Sequence, residues 1–84
     1  MQEKEIGTIT HYYDHLSVGI ISLSDALKLG ETVHIKGHAS DFTQSIDSIQ
    51  IEHKTVSEAQ PGDVIGIKVS GKVHPHDKVY KVIA

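Results

Sequence analysis

Cysteine, arginine and tryptophan are all missing from this 84-residue chain, and phenylalanine occurs once. Without cysteine, neither a disulfide nor a thiolate metal site can form. Arginine is the side chain best suited to bidentate phosphate contacts and to stacking on nucleobases. Its absence, together with a formal net charge of −3 at pH 7, weighs against strong general nucleic-acid binding. No apolar run is long enough to span a bilayer, and the opening MQEKEIG is charged rather than signal-like. No membrane association is therefore expected, and the expected setting is cytoplasmic. No Gly-x-x-x-x-Gly-Lys-Ser/Thr loop is present, which leaves nothing to cradle a nucleotide phosphate.

What is present points to strands. The hydrophobic fraction is a modest 38%, but it sits in β-branched residues at strand spacing, consistent with one small domain over residues 1–84. Met1 to Glu5 is expected to fray. Ile6 to Tyr13 reads as a strand in which Ile6 is out of step with Ile9, and Gly7 between them suits a bulge. Leu16 to Leu23 is a second strand. Ser24 to Glu31 is too short for an independent helix and is expected to be a turn whose Leu27 and Leu29 plug the core.

Thr32 to His53 carries the clearest alternation. Val33 and Ile35 alternate with His34, Lys36 and His38, while Ile49 and Ile51 alternate with Ser48, Gln50 and Glu52. Joined as one hairpin, these would pair Ile35 with Ile51 and Gly37 with Ile49, with a bulge near Asp47 to absorb the odd parity of Ile46. Pro61-Gly62-Asp63 is a strong turn signal. Val64 to Val69 follows as a strand with Ile65, Ile67 and Val69 on one face, and Lys78 to Ile83 is the last. Some six strands spaced by turns indicate an all-β fold.

Three segments carry a family likeness: Leu29-Gly30-Glu31-Thr32-Val33, Ser48-Ile49-Gln50-Ile51, and Glu58-Ala59-Gln60-Pro61-Gly62-Asp63-Val64-Ile65-Gly66-Ile67. Their order resembles domain 2 of the translation GTPases such as elongation factor Tu, a six-stranded Greek-key β-barrel. Lys36-Gly37-His38, Asp41-Phe42, Gln44 and Gln50-Ile51-Glu52-His53 resemble small proteins described as translation elongation factor-like. A similar barrel is also appended to collagenase-like peptidases as an accessory domain. The resemblance implies a non-catalytic binding module, associated with RNA or the ribosome. The alternative is a protein-interaction or accessory module for a separate enzyme.

Candidate functional residues follow from the outward row of the expected hairpin: His34, Lys36, His38, Gln50 and Glu52, with Phe42 in its loop as either a cap on the barrel mouth or an anchor for a partner. Lys36, Lys54, Lys68, Lys72, Lys78 and Lys81 could form a phosphate-facing patch, with Tyr12, Tyr13 and Tyr80 as stacking surface. Seven histidines are many for this length. His34 and His38 lie too far apart along one strand to chelate an ion unaided, however, and no zinc-ligand spacing is present, so no metal or other cofactor is expected. Ser48, His38 and Asp41 can be drawn as a catalytic set, but no nucleophile elbow or oxyanion motif accompanies them. No enzyme is expected. A small barrel filled by its own side chains offers no deep pocket either.

Overall fold

A computed structural model describes residues 2–83, and among these every regular element is a β-strand. The strands are β1 (Glu3–Tyr13), β2 (Val18–Leu23), β3 (Leu27–Lys28), β4 (Thr32–Lys36), β5 (Asp41–Ser45), β6 (Ile49–Ile51), β7 (Lys54–Val56), β8 (Glu58–Ala59), β9 (Val64–Lys68) and β10 (Lys78–Val82). Eight form one sheet in the order β5-β4-β10-β1-β2-β9-β6-β7, and β3 pairs with β8 in a small second sheet. The all-β expectation is met, but the ladder is open at β5 and β7 rather than closed into a six-stranded barrel.

β1 occupies the middle and is re-aimed twice. Its register against β10 shifts between Glu5 and Gly7, and its register against β2 shifts between Ile9 and His11. Each shift adds a residue that bends the strand and resets which side chains face in. The first lets Ile6 and Ile9 both enter the core despite their odd spacing. At Gly7 the backbones come so close that a Cβ would lie 2.7 Å from the Ser22 carbonyl oxygen. Glu3 to Glu5 pair with β10 rather than fraying.

The expected long hairpin is two hairpins. β4 pairs with β5, setting Ile35 opposite Phe42 and Val33 opposite Gln44. β6 pairs with β7, setting Ile49 opposite Val56 and Ile51 opposite Lys54. Two signals are weak in the sequence. β5 (DFTQS) is mostly polar, with only Phe42 and Gln44 half-buried. The β6–β7 turn uses Glu52 and His53 at φ 51° and 67°, without the Asn or Gly that usually marks such a tight turn. Ile46 is not in a bulge; the chain leaves β5 and buries Ile46, whose N–H donates to the Glu31 carbonyl at 2.9 Å.

The core holds Ile6, Ile9, Ile21, Val33, Ile35 and Ile49, with Ile65, Ile67 and Val69 from the β9 segment as the alternation predicts. Leu27 is fully buried in β3 opposite Ala59, whereas Leu29 is exposed because the chain turns at Gly30 (φ 87°) and breaks the alternation. The second strand starts at Val18, leaving Leu16 in a turn.

The open edge at β5 is bridged by a side chain. Gln44 donates from Nε2 to the Lys68 carbonyl at 2.8 Å and accepts the Ser70 N–H on Oε1 at 2.8 Å. Its amide thus supplies one donor and one acceptor where a strand would have continued the ladder. Beside this seam the Phe42 ring covers Gly71, where a Cβ would lie 3.1 Å from it.

At Gly37 a Cβ would overlap the buried Asp77 carboxylate, which the His74 N–H pins at 2.9 Å. Gly37→Ala is expected to cost about 1–3 kcal/mol through overpacking, read as a fall in Tm of at least about 4 °C. Gly66→Ala, whose Cβ would meet Ile20 and Val18 at an ordinary 3.4 Å, should leave Tm nearly unchanged.

Candidate functional site

The residues expected to form one outward row are divided between two parts of the sheet. His34 and Lys36 lie on β4, Phe42 on β5 and His38 in the loop between them, whereas Gln50 lies on β6 and Glu52 in the β6–β7 turn. β4 and β6 are separated by four strands in the sheet order. Phe42 packs half-buried against the core, as a cap would. Of the lysines expected to form a patch, Lys36 and Lys78 sit opposite each other on β4 and β10, while Lys78 also meets Glu5 at 3.8 Å and Lys81 pairs with Glu31 at 3.6 Å. Tyr12 packs on the core and Tyr80 beside His34, so the tyrosines form no shared stacking surface.

His34 is not a free surface histidine. Its Nδ1 meets Glu3 Oε2 at 2.7 Å and its Nε2 meets Asp41, so one half-buried ring joins β1, β4 and β5. With a carboxylate on each nitrogen, both nitrogens can donate only in the imidazolium form. The hydrogen bond to Asp41 raises the His34 pKa above its ordinary 6.5, burial opposes this, and Glu3 adds to the rise. The same bond lowers Asp41 below its ordinary 3.8. Among the described residues no group of three or more His, Asp or Glu has the arrangement of a metal site.

A serine, a histidine and an aspartate do meet, but they are not the set drawn from the sequence. Ser40 Oγ lies 3.3 Å from His74 Nδ1, and Asp77 Oδ2 lies 3.8 Å from the same nitrogen. A proton relay needs the acid and the hydroxyl on opposite ring nitrogens. Ser40 also donates to the Lys72 carbonyl at 3.0 Å, and Asp77 accepts the His74 backbone N–H. These contacts fasten the loop before β10.

The site that stands out is a groove of about 800 Å³ on the outer face of the sheet. It runs across β2 and β9 toward the β6–β7 turn, floored by Val18, Ile20, Ile51 and Gly66. A smaller depression of about 290 Å³ continues it past Ser48 and Lys68. The second bulge in β1 builds one wall. By shifting register after Ile9 it turns Tyr12 inward, so that His11 and Tyr13 face out opposite Ile20 and Val18. Tyr13, Leu16 and Val64 line the groove with exposures of 48%, 64% and 54%. Gly66 opens the floor, since it carries no side chain between Ile20 and Val18.

Gln50 and Glu52, singled out from the sequence for a different face, lie on this groove; Tyr13, Leu16 and Val64 were not singled out as partners for them. Val64 carried a signal, being out of phase with the buried Ile65 and Ile67. Leu16 carried one only once its turn was known.

These features define an all-β module with an apolar outer groove, and comparison with known proteins gives it a setting. No family model matches the chain. It is 36% identical over 77 residues to an uncharacterized protease of Methanocaldococcus jannaschii, covering 90% of this chain and 19% of that protein. It is 32% identical over 82 residues to a collagenase of Porphyromonas gingivalis, covering 95% of this chain and 23% of the collagenase. The chain thus spans about a fifth of the length of the curated relatives it matches. The C-terminal domain of a Geobacillus thermoleovorans protein named as a U32 peptidase has the same fold, with TM-score 0.89 and 20% identity over 95% of this chain and 93% of that one. The selenomethionine variant of that domain superposes with TM-score 0.86 and 20% identity over 90% and 96% of the two chains.

The resemblance to elongation factor Tu domain 2 and to translation elongation factor-like proteins is overturned by these findings, because the relatives are a protease and collagenases. The segments that suggested it are largely turn-and-strand punctuation. Gly30 and Gly62 each take the left-handed φ that a tight turn needs, and Ile65 and Ile67 fill a core. Such requirements recur in unrelated small β folds.

The His34 clip has a worked pH dependence. Its histidine part is fully present below pH 6.5 and is lost as pH rises through the elevated folded value. Its Asp41 part is present above pH 3.8 and is lost as pH falls through the depressed value. Thermal unfolding across pH should therefore show stability falling on the alkaline side of 6.5, and His34→Gln should flatten that limb. An unchanged limb would show that the clip contributes nothing.

Proposed function

We propose that this chain is an accessory module of a U32-type peptidase system, without catalytic residues of its own, acting by docking on a polypeptide. The observation that carries the reading is that 90% of the chain aligns with about a fifth of a protease. Its fold, shared with a peptidase C-terminal domain, supports the same assignment. The apolar outer groove supports docking, because exposed apolar side chains gathered in one place mark interaction sites more often than scattered ones do. Among the described residues no helix is long and apolar enough to cross a membrane.

A segment exchange tests this. In the Porphyromonas collagenase, the matched residues are deleted in one variant and replaced by this chain in another. Deletion should abolish collagen hydrolysis, the exchange should restore it to within about tenfold of the parent, and this chain alone should hydrolyse nothing. Hydrolysis by the isolated chain, or a folded exchange variant as inactive as the deletion, would overturn the proposal.

A further inference from the structure

The geometry points to the outer groove of β2, β9 and the β6–β7 turn as the surface that seats the peptidase, taking an extended apolar segment that carries a lysine or arginine. This inference rests on the accessory-module reading and adds to it the place and the chemistry of contact.

Four observations converge on the groove. Of the five large hydrophobic residues exposed among the described residues, Tyr13, Leu16 and Val64 lie here. The Tyr13 ring also meets the His11 ring edge-on at a centroid distance of 4.4 Å. An exposed aromatic beside apolar neighbours is the residue type that most often anchors a partner.

Backbone strain gathers at the same place. Among the described residues four non-glycine residues have positive φ, and three of them, Ser17, Glu52 and His53, belong to the two turns that bound the groove. Non-glycine residues in this region cost free energy, and such outliers collect at ligand clamps and other functional sites. Ser17 follows Leu16, so its turn presents that leucine to solvent, while the other turn presents Glu52 and His53.

Charge selects the occupant. Glu52 and Asp63 line the larger groove and no lysine does. The Asp63 carboxylate is partly engaged by the Gln60 N–H at 2.8 Å. Glu52 makes no ion pair among the described residues. An apolar floor rimmed by two carboxylates, neither of them in an ion pair among the described residues, complements an apolar segment bearing a basic side chain. About four-fifths of each relative's length lies outside the match, which supplies an adjoining surface for the module to rest on.

Hydrogen exchange on the active exchange variant locates the contact. Relative to this chain alone, amides of residues 13–20 and 50–66 should exchange at least about tenfold more slowly in the variant. Leu16→Glu and Glu52→Lys should each remove most of that protection, while the isolated variants unfold at the parent temperature. Protection confined to another face of an active exchange variant would overturn the groove and leave the accessory reading standing. A folded but inactive exchange variant would overturn both. Protection from self-association, appearing in this chain alone as its concentration rises, would also overturn the proposed occupant.

Discussion

The two register shifts in β1 are the constraint on which the rest of the molecule depends. An unbroken strand from Glu3 to Tyr13 would send every second side chain inward, and Ile6 and Ile9 could not both be buried. The first extra residue reconciles them. The second turns Tyr12 toward the core and Tyr13 toward solvent. Because β1 pairs with β10 on one side and β2 on the other, each shift also bends the sheet between its two halves. The curl and the wall of the outer groove thus share one origin.

A curled sheet brings its edge at β5 close to the end of β9 without completing the ladder. Gln44 resolves the mismatch with a side-chain amide, which can offer a donor and an acceptor at an angle that two strands could not. Nearby, His34 ties β1, β4 and β5 through two carboxylates, and Asp77 and Ser40 secure the loop before β10. Such polar fastenings at the seams complement an isoleucine- and valine-rich core, whose burial supplies most of the driving force but little direction.

Legibility in the sequence followed the strength of local pattern. β9 could be read because Ile65, Ile67 and Val69 alternate without interruption after a glycine turn. The hairpins could not, because β5 buries only part of Phe42 and Gln44, and the Glu52-His53 turn lacks its usual residues. With β5 invisible, the next apolar alternation after Val33 and Ile35 was Ile49 and Ile51, and pairing them was the consequence. The candidate site suffered from the same error: Gln50 and Glu52 were grouped with His34 and Lys36, from which four strands separate them. The likeness to translation factors rested on turn and core residues that answer to folding rather than to function.

The sequence by itself determined that the chain would be all β, that Gly30 and Gly62 would make turns, and that no disulfide or thiolate site could exist. Those outcomes depend on residue type and short-range spacing alone. Only the tertiary structure decided which strands are neighbours, that Gln44 would bridge the open edge, and that Tyr13, Leu16, Val64 and Glu52 would share one groove. Each of these depends on register. A shift of one residue in a strand exchanges its inward and outward faces, and nothing local records where such a shift falls.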